Sequence, residues 1–253
     1  VTLTLNDPAT LNAISDLPMV DALVDAVVAA ERNPDARVIV LTGAGKAFSA
    51  GGNIKKMGQG QGLYDTLPAR TRQNYKHGIQ RIPGAFEALE IPVIAAVNGP
   101  AIGAGCDLTL MCALRIAGES AKFAESFVKL GIVPGDGGAW LLPRVVGFSK
   151  ACEMALTGEA VDALEALRIG LVSQVVADNA LLDAAKALAR RIAVNPTHAV
   201  RMTKRLLRTA GQHHLDSFLE VSAAYQALAH ATADYNEGLA AMRERRPAKF
   251  TGQ

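Results

Sequence analysis

Two glycine-rich turns are the first candidates for chemistry, because each follows an apolar run and precedes a predicted helix. AGG at positions 50–52 comes after VIVLTGAGKAFS, and GAG at 103–105 comes after PVIAAVNGPAI. The first turn of a helix has free N–H groups and a partial positive charge, and small side chains let a ligand oxygen approach them. Two such donors that converge on one point would stabilise the oxyanion that forms on a thioester oxygen during enolisation. Taken alone, each turn is better explained by a tight turn and close packing between a helix and a strand.

Nucleotide-binding turns are the main competitors of this interpretation. The segment VIVLTGAGKAF has Gly-x-Gly after a predicted strand, but Phe48 stands where a dinucleotide site has its third glycine. No clear acidic residue ends a second strand about 20 residues later, where it would bind a ribose. The phosphate-binding pattern GxxxxGK[ST] is also missing from the sequence. The glycines therefore do not indicate a dehydrogenase or a P-loop enzyme.

The elements around these turns alternate between strands and helices. VTLTLN alternates apolar and polar residues like a half-buried strand, and apolar residues recur at helical spacing from Met19 to Ala30. Buried strands are predicted at 38–41, 93–97 and 114–117, and a helix at 79–89. Strands that alternate with helices and are joined by glycine turns predict an α/β fold.

Two segments differ from this pattern. Residues 58–72 are polar and glycine-rich with little periodicity, which predicts a mobile segment. Beyond about Pro196 the sequence is rich in Ala, Leu and Arg, with helical patterns only. We therefore predict a core at 1–195 and a helical region at 196–253 that packs on the core or on a neighbouring subunit.

Composition excludes several classes of function. The chain has 253 residues, with 26 Lys and Arg against 24 Asp and Glu, so a basic nucleic-acid-binding face is not expected. Its three cysteines have no CxxC spacing, which favours a reducing cytoplasm, and its five histidines have no ligand spacing, so no metal site is predicted. Pro and Gly break the most apolar runs well short of the roughly 20 residues that span a membrane, and no secretory signal is visible.

Three motifs in order identify the family that this sequence resembles. AFSAGGNIKKM, PVIAAVNGPAIGAGCDLTLMCALRIA and AKFAESFVKLGIVPGDGGAWLLPRVVG closely resemble the crotonase family, also called the enoyl-CoA hydratase/isomerase family. The likeness extends from VTLTLN to EGLAAMRERRPAKF, essentially the whole chain. It implies a spiral core of stacked ββα units and a C-terminal helical region used in trimerisation, giving a homotrimer or a hexamer built as a dimer of trimers. It also implies a coenzyme A thioester as the substrate, with no separate cofactor.

The resemblance assigns roles to the first two motifs. It implies that the N–H groups of Ala50 and Ala104 form the oxyanion hole. The positions that match the acyl-CoA site are Gly51, Gly52 and Asn53, where many relatives carry Asp in place of Asn53.

Basic residues are the candidates for binding the CoA portion. Lys55 and Lys56 follow the first turn and are candidates to meet CoA phosphates, although ordinary solvated lysines explain them equally well. Arg245 aligns with a basic residue that in relatives approaches the adenine end of CoA, sometimes from a neighbouring subunit.

The acid and base of the reaction differ from the usual hydratase pair. Hydratases of the family use two glutamates on one water; the first aligns with Asp107 here and the second with Phe127, which cannot transfer a proton. Because Asp107 is one methylene shorter than glutamate, its carboxylate is displaced by about 1.5 Å. A misplacement of about 1 Å can lower the reaction rate about a hundredfold. A shift of register to Glu125 would break the alignment of Phe123 and Gly131.

Asp136, in VPGDGGAW, is the other candidate for proton transfer. Isomerases and dehalogenases of the family often carry an aspartate in this turn, although many place it directly after the proline. An aspartate bonded to neighbouring amides is the structural alternative. We predict double-bond isomerisation with Asp136 as the proton carrier and Phe127 as an apolar wall of the acyl pocket. The alternatives are a hydratase that uses Asp107 with Asp136 or Glu125, and a non-catalytic CoA-thioester-binding protein.

Overall fold

The computed structural model describes residues 1–57 and 62–253 of the chain. Within these residues it has eight strands, namely β1 (Thr2–Leu5), β2 (Ile39–Gly43), β3 (Val93–Val97), β4 (Ala101–Ile102), β5 (Leu114–Gly118), β6 (Lys122–Ala124), β7 (Ala160–Asp162) and β8 (Gln174–Val176). The same residues form eleven α-helices, namely α1 (Leu17–Arg32), α2 (Pro68–His77), α3 (Arg81–Ala88), α4 (Ala104–Met111), α5 (Gly138–Val146), α6 (Phe148–Thr157), α7 (Ala163–Arg168), α8 (Leu181–Ala193), α9 (Thr197–Thr209), α10 (Leu215–His230) and α11 (Ala233–Glu244).

The main sheet has five parallel strands in the order β1-β2-β3-β5-β8. Successive side chains of a strand point to opposite faces, so each central strand supplies two apolar layers. On β2, Ile39 and Leu41 join the larger core cluster, whereas Val40 lies on the opposite face and packs with Leu181 and Ala185 of α8. Apolar layers on both faces account for the continuous hydrophobic runs that the sequence has at these strands.

The sequence of helix α1 explains where this helix begins and ends and which of its faces is buried. Pro18 stands in its first turn, where a missing N–H costs nothing, and the helix ends before Asn33. Its buried residues are Val20, Leu23, Val27 and Ala30, spaced three or four apart, so one stripe of the helix faces the core.

A second, smaller sheet positions the candidate site. It has the order β4-β6-β7, with β4 parallel to β6 and β7 antiparallel to β6. Strand β4 leads through Gly103 into α4, and β6 leads directly into Glu125. These strands have two or three residues each, which is too short for a recognisable alternation in the sequence, and the sequence analysis did not predict them.

The C-terminal helices dock on the core through charged side chains of α9. Arg201 pairs with Glu31 of α1 at 2.8 Å, and the Lys204 ammonium donates to the carbonyl oxygens of Leu89 and Ile91 just beyond α3. Burial lowers the pKa of Lys204 to about 8, so this lysine is held in a poorly solvated position. From Thr197 onward the regular structure is helical, as the composition indicated; the domain boundary at 195 stays a prediction.

The predicted elements agree with the structure in type, with one exception. Of the segment 58–72, predicted to be mobile, residues 58–61 lie outside the described residues. At the other end of the segment, α2 begins at Pro68, so the last residues of 58–72 are helical; their mobility stays a prediction. A helix with both the length and the apolar character to cross a membrane does not occur among the described residues.

Candidate active site

The two glycine-rich turns meet in the structure. Ser49 pairs with Ala101 as a parallel bridge, and the Ile102 N–H donates to the Ser49 carbonyl oxygen at 3.0 Å. Gly51 has φ +77°, and a Cβ atom there would lie 2.3 Å from the Ile102 oxygen and 2.9 Å from the Ala104 nitrogen. Only glycine combines this backbone conformation with this close approach, so the turn is built against the beginning of α4.

Gly52 and Ala104 each offer a free N–H group at this junction, one from each of the two turns. The N–H of Ala50, which was predicted to be the first oxyanion donor, donates to the Leu11 carbonyl oxygen at 2.9 Å and is therefore engaged. Across residues 1–57 and 62–253, the N–H of Gly52 and that of Ala104 have no acceptor. The structure thus corrects the assignment of Ala50 and leaves Gly52, two residues later, beside Ala104 as the donor pair.

Asn53 and the lysines after this turn have defined surroundings. The Asn53 N–H donates to Ser15 Oγ at 2.9 Å, and its side-chain amide donates to Asp16 at 3.2 Å. Lys56 pairs with the same Asp16 at 2.7 Å, whereas the Lys55 side chain is exposed. Asn53 therefore ties the turn to the start of α1, and the role of the lysines toward CoA stays a prediction.

A cavity of about 330 Å³ lies beside these residues, between the start of α1 and the end of α2. Its lining includes Ser15, Asp16, Lys56, Asn74 and His77. Arg245, the other basic residue predicted to contact CoA, is exposed and ends α11 with φ +54°. Within the described residues, no hydrogen bond or ion pair connects it to the turn at 50–53.

Three buried carboxylates lie next to the start of α4. Asp107 is 0% exposed, Glu125 is 1% exposed and Asp136 is 2% exposed. Apart from one another, these three carboxyl groups have no hydrogen-bond partner for any of their six oxygens in the described part of the chain. Burying an ionised carboxylate without a donor is strongly unfavourable, so these groups must share protons or bind a polar ligand.

Each carboxylate comes from a different element. Asp107 lies in the first turn of α4, Glu125 follows β6 directly, and Asp136 lies in the turn that opens α5. A Cβ atom on Gly138, the first residue of α5, would lie 2.0 Å from Asp107 Oδ1 and 2.6 Å from Oδ2. The Asp107 carboxylate is therefore held directly against the first residue of α5, at a position where only glycine leaves room for it.

Burial and mutual repulsion dominate the proton affinity of this cluster. Burial, followed by the charges of Asp136 and Glu125, raises the pKa of Asp107 well above its ordinary value. Burial raises the pKa of Glu125 to about 7 and also raises the pKa of Asp136, although a proton shared with Asp107 acts in the opposite direction on both. Raised pKa values of this kind favour retention of a proton within the cluster, so that one carboxyl group can donate to a neighbouring carboxylate.

Two partly buried aromatic side chains, Phe127 and Tyr75, lie beside the turns that lead into α4 and α5. The Phe127 ring lies over Gly103, where a Cβ atom would be 3.6 Å from Cζ, so the ring packs at the junction that also supplies the Ala104 N–H. Tyr75 of α2 lies against Gly135, and burial, followed by the negative charge of Asp136, raises the pKa of its hydroxyl.

Glu125 and Gly52 are the two residues that the sequence analysis did not place in their roles. Glu125 had been considered only as an alternative match for the second hydratase glutamate. It is two residues beyond the buried Phe123 and so lies on the same side of β6, but a strand of three residues gives no alternation that could have identified it. Nothing in the sequence indicates that Leu11 engages the Ala50 N–H.

Comparisons with known proteins agree on one family. The family model described as enoyl-CoA hydratase/isomerase matches residues 1–253. The chain is 39% identical to 1,2-epoxyphenylacetyl-CoA isomerase of Escherichia coli, over 100% of this chain and 95% of the relative. It is 38% identical to crotonyl-CoA hydratase of Syntrophomonas wolfei, over 97% and 92%. The crystal structure of an enoyl-CoA hydratase from Bacillus anthracis superposes with a TM-score of 0.92 at 34% identity, over 100% of this chain and 95% of the other.

Proposed function

We propose that this chain, which belongs to the enoyl-CoA hydratase/isomerase family, isomerises the double bond of an enoyl-CoA. The family and the crotonase-like α/β fold were predicted from three motifs, and the whole-chain match and the TM-score of 0.92 confirm both. An acyl-CoA substrate follows from the family. The choice between isomerisation and hydration is our proposal and depends on the buried carboxylates.

Substrate activation in this proposal uses the donors at the junction of the two turns. The thioester oxygen accepts hydrogen bonds from the N–H groups of Gly52 and Ala104. These donors stabilise the negative charge that reaches the oxygen when a proton leaves the α-carbon, and one such donor is typically worth about 2.7–4 kcal/mol. Because the donors belong to the backbone, they are already oriented before the substrate binds.

Proton transfer is assigned to Asp136. Its carboxylate removes a proton from C2 of a 3-enoyl-CoA; the C–H electron pair forms a C1=C2 bond, and the carbonyl π electrons move to the thioester oxygen, which gives a dienolate. The carbonyl then re-forms, the C1=C2 electrons become the C2=C3 bond, and the C3=C4 electrons take the proton back from Asp136 at C4. The net result is a 2-enoyl-CoA, and the enzyme ends with its protons unchanged. The observation that supports this role best is the buried Asp136 carboxylate, which has no donor among the described residues and directly neighbours Asp107. Desolvation brings its proton affinity closer to neutrality, as a proton carrier needs.

Hydration is the second candidate, and a specific contact favours it. Asp107 and Glu125 are neighbouring carboxylates, and two carboxylates on one water are what hydration needs. Phe127 weighs against it, because this apolar side chain occupies the position of the second glutamate of the family's hydratases. The trimer or hexamer that the resemblance implies also stays a prediction; exposed leucines on α9 and α10, such as Leu207 and Leu219, are compatible with it.

Direct assays of the purified protein separate the candidates. We expect 3-enoyl-CoA to be converted to 2-enoyl-CoA without a change in mass, and Asp136→Asn to reduce kcat by at least about a hundredfold, the lower range for loss of an acid–base group. Asp35→Asn, at an exposed aspartate, is the matched control and should leave the rate unchanged. Rapid formation of 3-hydroxyacyl-CoA from 2-enoyl-CoA that survives Asp136→Asn would instead establish the hydratase. Tight CoA-thioester binding without turnover would indicate a binding protein.

A further inference from the structure

Glu125 is a buried carboxylate to which neither the proposed reaction nor the family motif gives a role. It follows β6, is 1% exposed, and receives no hydrogen bond from the described residues. An unpaired buried charge of this kind lowers stability, so its surroundings must compensate it or share a proton with it. The groups that face it are the Cys106 thiol and the Asp107 carboxylate of α4, and Asp136 in the turn before α5.

Asp107 is the centre of the cluster. It neighbours both Glu125 and Asp136, and its carboxylate is fixed against Gly138, where no side chain could fit. As ionised groups all three carboxylates are acceptors only, so a hydrogen bond among them needs a retained proton. A proton on the central member can be donated to either neighbour, whereas a proton on an outer member can be donated in one direction only. The central position is therefore the favourable place for the proton.

From this arrangement we propose that Glu125 is a positioning residue, which keeps the proton on Asp107 and so leaves Asp136 as the ionised base of the isomerisation. The inference rests on the proposed function for the role of Asp136, but the coupling of Glu125 to Asp107 stands on the cluster itself. Glu125 does not need to contact the substrate. Its negative charge makes loss of the Asp107 proton unfavourable, as a like charge beside a carboxyl group does.

The proposal has a pH dependence with a definite sign. The pKa of Glu125 is raised to about 7 by burial, so its charge is formed as the pH rises through that value. The proton on Asp107 is then held most firmly, and kcat should rise through the same range. Tyr75 faces Asp136 and has a raised pKa, so its hydroxyl stays neutral there and contributes no further ionisation.

The test combines carboxyl-carbon NMR titration with pH–rate profiles on the full-length protein. Samples labelled with ¹³C at the Asp and Glu side chains report each titration without any turnover, and Asp107→Asn and Asp136→Asn assign the signals. In the wild type we expect Asp107 to remain protonated at pH 7. Glu125→Gln keeps the shape and removes the charge, and should lower the Asp107 midpoint by at least about one pH unit, the smallest effect typical of a neighbouring charge. Glu119→Gln, at an exposed glutamate, should leave it in place.

The kinetic arm distinguishes positioning from a structural role. We expect Glu125→Gln to abolish the rise of kcat near pH 7 with little change in KM, and Glu125→Asp, which restores the charge, to recover it. An Asp107 carboxyl that titrates at an ordinary aspartate value in the wild type would overturn the inference without any variant, as would an unchanged midpoint in Glu125→Gln. If the midpoint moves as expected but no enoyl-CoA is isomerised, the proposed function fails and the coupling between Glu125 and Asp107 is supported.

Discussion

The contact between Gly138 and Asp107 gives the sharpest prediction about the site. A methyl group introduced by Gly138→Ala would lie 2.0 Å from Asp107 Oδ1 and 2.5 Å from Cγ. Ordinary non-bonded contacts are about 3.5–4.0 Å, so the carboxylate must move by roughly 1.5 Å. A misplacement of about 1 Å at a reacting group can cost about a hundredfold, and we therefore expect kcat to fall by at least that factor.

The stability of this variant should change much less than its activity. Overpacking typically costs about 1–3 kcal/mol, whereas Ala in place of a helical Gly contributes up to about 1 kcal/mol in the other direction. We therefore expect the free energy of unfolding, measured in urea, to fall by about 0–2 kcal/mol.

Gly84→Ala is the matched control, because Gly84 is in α3 and a Cβ atom there meets nothing within 4 Å. A Gly138→Ala enzyme that keeps wild-type kcat on 3-enoyl-CoA would refute the idea that the Asp107 carboxyl group holds Asp136 in its active state.

Two further predictions concern the oxyanion donor and the pH dependence of stability. Ala104→Pro removes one N–H at the first position of α4, where proline is tolerated. We therefore expect kcat to fall by about 10²–10³-fold, while the urea midpoint of unfolding stays close to that of the wild type. An unchanged kcat would exclude Ala104 as a donor to the oxyanion. The carboxyl groups of Asp107, Glu125 and Asp136 have higher pKa values in the folded protein than in the unfolded chain. The stability that they contribute is therefore fully present below the pKa of the unfolded chain and is lost as the pH rises through the pKa of the folded protein. For Glu125 this pH range runs from 4.5 to about 7, and the free energy of unfolding should fall as the pH rises across it. If Glu125→Gln leaves the dependence of the unfolding free energy on pH unchanged, the raised pKa of Glu125 is contradicted.

The sequence predicted the strands and turns that carry strong local signals. The apolar run 93–97 coincides with β3, and Ala104 is the first residue of α4, as the small residues after that strand implied. Local patterns identify such features because burial on both faces and a glycine turn leave a mark within a few residues.

Contacts between distant segments account for what the sequence did not predict. Whether the Ala50 N–H is free depends on Leu11, which is 39 positions away and engages it. Glu125 is buried because β6 pairs with β4 and β7, strands too short to be recognised beforehand. In both cases the chemistry of a residue is set by a partner that no local pattern specifies.

The state of Asp107 connects the proposed reaction to the cluster. As a water-activating base Asp107 would have to be ionised, but burial and the two neighbouring carboxylates all oppose its ionisation. As a neutral acid it can donate to Asp136, and that hydrogen bond stabilises the ionised form of Asp136. The same proton that makes Asp107 a poor base for hydration thus makes Asp136 a usable base for isomerisation. Phe127 adds neither an acid nor a base at the position that the resemblance gives to the second hydratase glutamate, which favours the same reaction.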